Sequence, residues 1–168
     1  MSFTLYDASI PVMLRSLGQL SSLLEKAVAH AEERKIDPSI FVNARLAPDM
    51  YSLARQVQSA SDAAKACAAR LSGLENPSFP DTETTFSELQ ERIAKTVTFL
   101  KSVDPGLIAG QKGREIVMKR PSGDIHFTGA SYLQAMALPN FFFHVVTAYD
   151  ILRHNGLAIG KLDYLGRP

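Results

Sequence analysis

Apolar residues recur at steps of three and four along four stretches of this chain. In the first, Ile10, Leu14, Leu17, Leu20, Leu24, Val28 and Ala31 fall on one stripe, the pattern of an amphipathic helix. Asp7 or Ser9 is placed to cap its start, and Pro11 falls in the first turn, where its missing N–H costs little. Arg15, Gln19, Lys26 and Glu33 take the other side. A connector with two prolines, "KIDPSIFVNARLAPD", leads to a second helix predicted from Pro48 or Asp49 to Gly73, a C-terminal cap. Met50, Leu53, Val57, Ala60, Ala64 and Leu71 form its stripe, and its alanine-rich second half lets a neighbouring helix approach closely. Beyond the loop "ENPSFPDTET", Thr85 and Glu88 have the spacing of a capping box. Phe86, Leu89, Ile93, Val97 and Leu100 carry the third helix to a stop at Pro105.

Residues 106–130 break the pattern. "REIVMK" and "DIHFT" flank the turn-rich "RPSG", which predicts a β-hairpin. An isolated hairpin is marginal in water, so this one must lie against the helices, with Ile116, Met118, Ile125 or Phe127 inward according to register. The fourth helix starts near Gly129 to Ser131 and ends before Gly156; Pro139 inside it predicts a kink or restart near Leu138. The tail "LAIGKLDYLGRP" is expected to wrap the outside. Four long amphipathic helices in 168 residues predict an all-α fold, a four-helix bundle with a small β-hairpin between helices 3 and 4, in a single domain spanning 1–168. The order of the helices in space is not readable, although the long third connection could carry a crossover between parallel neighbours.

Composition changes this picture little. Hydrophobic residues make up 46% and charged residues 21%, an ordinary globular balance, so a core can form without staples. With 18 basic and 17 acidic residues the net charge is +1, and "RKIDP", "KGR" and "MKR" are scattered clusters rather than a stripe; no nucleic-acid partner is expected. The single cysteine, Cys67, excludes an intramolecular disulfide and lies in "SDAAKACAAR", read as a small core or near-surface residue. The N-terminus does not read as a signal peptide. No stretch is read as apolar for the roughly 20 residues that span a bilayer. A soluble, cytoplasmic protein with no membrane partner is therefore the expectation.

Candidate chemistry concentrates in "NFFFHVVTAYDILRHNG". His144 and His154 cannot share one ion, because ten residues of helix separate them by about 15 Å along the axis. Asn140, His144, Thr147 and Ile151 share one face, which groups three polar side chains. Phe142, Val145, Val146, Tyr149 and Leu152 cover the opposite side. With Phe141 and Phe143 this makes the helix apolar nearly all round, so burial on more than one side is expected, against other helices and a second subunit. His144 reads either as a core histidine hydrogen-bonded to Asn140 or to another helix, or as a ligand or base. His154, at the helix end, is structural and within reach of Asp150 one turn back. His126 on the hairpin and His30 on a polar face read as surface residues.

The same stretch resembles the last-helix motif of the DinB/YfiT-like four-helix bundles, His-x-x-x-His followed by Arg-Gly-Gln and a later Leu-Arg. Aligning Leu152-Arg153 with that Leu-Arg puts His144 on the second histidine, Asn140 on the first and Thr147 on the glutamine. The third ligand of that superfamily lies on the second helix, where "MYSLARQVQSASD" offers Gln56, with Gln58 as the fallback. "RLAPDMYSLARQVQ", "FFFHVVTAYDILRHNG" and "GKLDYLG" resemble most closely the family DUF1993, of unknown function, within it. The resemblance implies a fold whose active members use a three-histidine metal site, often for thiol-dependent transferase or isomerase chemistry.

This chain keeps one histidine of the three. Two amides in place of imidazoles exchange strong nitrogen donors for weak neutral oxygens, so no metal or other cofactor is expected. His144 is the only residue of the set suited to ligate a divalent ion. The resemblance then implies a homodimer with a degenerate metal site. Its pocket of Gln56, Asn140, His144 and Thr147 would bind a small polar ligand or serve a structural role. The alternative is a metal- or histidine-dependent thiol S-transferase or isomerase.

Overall fold

The structure, a computed structural model, describes residues 3–166. The first stripe forms α1 (Ile10–Arg34), which buries Met13, Leu23 and Ala27 beside the expected positions, so the core face is broader than one row. Neither Asp7 nor Ser9 caps α1 with its side chain. The Ser9 hydroxyl donates back to the Leu5 carbonyl at 2.8 Å, and the Asp7 carboxylate accepts from Thr4. The connector holds a short helix that apolar spacing does not reveal, α2 (Pro38–Asn43). The Asp37 carboxylate accepts from the Ser39 N–H at 2.9 Å and starts it.

α3 (Leu53–Ser72) begins four or five residues later than Pro48 or Asp49 would have it, because Ser52 supplies the cap to the Arg55 N–H. It ends as expected at Gly73, whose φ of 83° is left-handed. α4 (Phe86–Ser102) starts with the predicted Thr85–Glu88 capping box. After the one-turn α5 (Gly106–Ala109) come β1 (Glu115–Met118) and β2 (Ile125–Thr128), paired antiparallel with Ile116 opposite Phe127. Ile116 is buried, and Phe127 meets the ring of Tyr132 edge-on at 5.9 Å.

The last long helix is built from α6 (Gly129–Tyr132), a π-helical turn over Leu133–Ala137, and α7 (Leu138–His154). Pro139 does not break it. The carbonyl its ring would strike, that of Ala135, belongs to the wider turn, which takes up the missing hydrogen bond. α7 buries Phe141, Val145, Ala148, Ile151 and Leu152. Phe142 is only half-buried, and Phe143 and Val146 are exposed, so the helix is not covered all round within one chain. Contrary to the sequence expectation, the continuous helix Gly129–His154 is long and apolar enough to cross a membrane by length and composition. Core helices pass the same test, and its buried face is the one packed on α3.

The four long helices form an all-α bundle with the hairpin at one end of α3. α3 touches α4 and α7, and α1 touches the same two, so α1 and α3 sit on one diagonal. α4 and α7 take the other diagonal, so the third connection crosses the bundle rather than joining parallel neighbours. The most extensive contact joins α3 to α7, which run antiparallel: Gln56 meets His144 at one end and Arg70 meets Tyr132 at the other. The tail does wrap the outside. In it, α8 (Lys161–Leu165) lies on α1 through an Arg15 bond to the Leu165 carbonyl and a Lys26–Asp163 ion pair.

Candidate functional site

His144 faces α3 because it stands one turn from Phe141 and Ala148, both wholly buried there. Its Nδ1 lies 2.7 Å from Oε1 of Gln56. The Gln56 amide nitrogen donates to the Tyr51 carbonyl at 3.4 Å, which leaves the amide oxygen for the imidazole. That assigns the ring proton to Nδ1 and leaves Nε2 with its lone pair. Tyr51 stacks nearly parallel to the ring, 13° between planes, and Phe143 meets it edge-on at 5.3 Å. Burial pulls the His144 pKa below 6.5, and the positive charge of Arg55 lowers it further. The imidazole is therefore neutral at pH 7. Arg55 is held in place by Asp81 and lies 5.5 Å from the centre of the Tyr51 ring.

A cavity of about 300 Å³ opens beside this pair, between α3 and the Tyr132–His144 stretch. α3 contributes Ser59, Asp62, Ala63, Ala66 and Arg70, one stripe whose small members make the space. Tyr132, Met136 and Asn140 line the facing side with His144. A larger cavity, about 640 Å³ between α1, α2 and the start of α4, shares no residue with it.

Residues 5–165 match the family model described as a domain of unknown function, DUF1993. The chain is a DUF1993 protein. The crystal structure of a DinB family member protein from Shewanella denitrificans is similar over 98% of this chain and 93% of that one, at 40% identity and a TM-score of 0.91. No curated protein matches.

In this DUF1993 protein Gln56 and His144 meet, and Asn140 lines the same cavity half-buried. Thr147 does not join them; its hydroxyl donates to the Phe143 carbonyl at 2.6 Å within its own helix. Gln58, the fallback, turns to Glu83 and Arg55 instead. His126 is exposed beside Glu115. His154 is exposed too, and no bond joins it to Asp150 among the described residues. His30 is half-buried with its ring against Phe41, more covered than a surface residue. Cys67 is fully buried, and burial pushes its thiol up to about 12, which removes it as a nucleophile.

Apolar spacing missed the charges buried behind the site. Arg92, 1% exposed, reaches Asp62 at 2.7 Å, Asp81 at 3.0 Å and Glu83 at 3.1 Å. Lys65 pairs with Asp62 at 3.0 Å and sits 3.9 Å above the Phe79 ring. These bonds strap loop 75–84 across α3 and α4. The signal was present in the sequence: Arg92 interrupts the stripe of Leu89 and Ile93, and an acidic "PDTE" precedes it. Among the described residues no group of three or more His, Cys, Asp or Glu side chains is placed to hold a metal ion.

Proposed function

We propose that this protein is a metal-independent member of the DinB-like bundles that holds a small polar molecule against His144. The observation that carries the reading is the 2.7 Å Gln56–His144 bond beside a cavity. The donor set does not suit a tightly held transition ion. The Gln56 oxygen already accepts from the ring N–H, and one imidazole with neutral amides is a poor match for the three strong donors of catalytic zinc. What remains at the cavity is an uncharged Nε2 lone pair, the Asn140 amide and the Ser59 hydroxyl, groups that orient a polar guest. NMR of ¹⁵N-imidazole-labelled protein tests this. The Nε2 resonance should report an unprotonated nitrogen at pH 7 and shift when a small hydroxylated ligand is added. One stoichiometric divalent ion retained through purification without chelator would overturn it.

A second reading has its own support. A neutral imidazole with a bare Nε2 at a cavity is suited to general-base work, as in a thiol S-transferase. Histidine-dependent formation of thiol adducts, lost in His144→Ala, would favour this reading over simple binding. We further propose a homodimer in which a second copy covers Phe143 and Val146, 57% and 37% exposed and one turn apart on α7. Light scattering should give twice the chain mass for wild type and the monomer mass for Phe143→Glu.

A further inference from the structure

The end of the cavity away from His144 is built to receive a negative charge. Arg70 makes one hydrogen bond, from Nη1 to the Tyr132 hydroxyl oxygen at 2.9 Å, and no carboxylate pairs with it among the described residues. Its neighbours on the same face of the fold differ: Arg55 is matched by Asp81, and Arg92 by three acidic side chains. Asp62 also lines the cavity, but Arg92 and Lys65 already hold its charge. The remaining guanidinium N–H groups of Arg70 are thus left for a guest.

Tyr132 adds a second donor. Its side chain is buried, 2% exposed, and its oxygen accepts from Arg70. A phenol that accepts one bond still has its own hydrogen to give. No acceptor for that hydrogen lies among the described residues. Burial raises the Tyr132 pKa, so the group stays a donor at neutral pH. A buried hydroxyl without an acceptor is costly, and an anion in the cavity supplies one.

The two ends of the cavity therefore ask for different things. At one end are a cation and a phenol donor. At the other are the bare His144 Nε2 and the Asn140 amide, which suit a donor-bearing group. Between them, Ala63, Ala66 and Met136 offer apolar walls. The helix between Tyr132 and His144 spans about 18 Å at α-helical rise, so a guest touching both ends is extended. A cavity of about 300 Å³ sits at the small end of ligand sites.

We infer that the guest is a small, extended organic carboxylate with a hydrogen-bond donor at its far end, its carboxylate bound by Arg70 and Tyr132. This rests on the pocket reading above and specifies its ligand class. Arg70 can hold a carboxylate by two parallel N–H bonds, which gives direction as well as charge.

Titration calorimetry with three probes of equal length tests the inference: ω-hydroxyoctanoate, octanediol and aminooctanol, which differ in charge at one end only and, with a hydrogen bond at each end, are long enough to reach from Arg70 to His144. Wild type should bind the hydroxyacid at least ten-fold more tightly than the diol and the amine most weakly. Arg70→Met should erase the preference, and Tyr132→Phe, which removes only a hydroxyl, should reduce it several-fold with the circular dichroism unchanged. Equal affinity for hydroxyacid and amine, or a preference that survives in Tyr132→Phe and Arg70→Met, overturns the inference. If the diol binds in a His144-dependent way without any gain from the carboxylate, the pocket stands and only the anion end is wrong. If none of the three binds, pocket and anion end fall together.

Discussion

His144 loses water when the chain folds and receives only a neutral amide in exchange. Its folded-state pKa consequently lies below 6.5, so the unfolded chain takes up the proton first as pH falls. The sign follows: the histidine leaves stability intact above pH 6.5 and weakens the fold progressively from 6.5 down through its depressed folded value. His144→Asn should remove that loss. Urea midpoints of wild type and variant should differ by a constant amount above pH 7 and shift against wild type below 6.5. A constant difference down to pH 4.5 would mean the ring is solvated. Much of this site could be read from residues. Asn140 and His144 are four apart on one helix, and a polar side chain on a phenylalanine-rich face must find a partner. The partner itself, Gln56, came from a resemblance. No local rule reveals contacts 88 residues apart.

At the scale of elements, the buried charges and the aromatic run make separate predictions. Arg92 on α4 is wholly buried among carboxylates, and its Nε has no partner. Arg92→Ala strands Glu83 and should cost about 3–5 kcal/mol, the loss typical of breaking a buried pair by removing one side. Chemical denaturation measures it, and protease cleavage within loop 75–84 should rise in parallel. On α7 the core anchor is Phe141, 0% exposed, rather than its half-buried neighbour Phe142. Phe141→Ala should cost about 3–5 kcal/mol and Phe142→Ala distinctly less; the reverse order would mean that α7 is turned differently on α3. Long helices were legible because each carries a stripe over several turns. α2 was not, because six residues hold too few apolar positions to show a period. Arg92 was missed because a pattern built on apolar residues skips the charge that interrupts it.

For the whole molecule, the diagonal arrangement explains why the site lies where it does. α3 lies between α4 and α7, so it carries the strap of loop 75–84 on one side and the cavity on the other, with α1 diagonally opposite. Asp81 belongs to both, since it holds Arg92 in the strap and Arg55 near the imidazole. Helix order of this kind depends on which stripes face each other, and spacing along one stripe carries no such information.

The wide turn at Leu133–Ala137 takes in one residue more than an α-helical turn would hold between the two halves of the long helix. Excising the exposed Ala135 should let this turn close as an ordinary α-helical one, with i→i+4 bonds in place of i→i+5, and leave the two halves in nearly the same phase. Helical content by circular dichroism should barely move, and the Tyr132–Arg70 and His144–Gln56 bonds should both survive, whereas removing one residue from the regular helix between Pro139 and His144 would turn one end away from the other by about 100°. The wide turn thus acts as slack in the helix, taking in a spare residue and a proline without moving either end of the cavity.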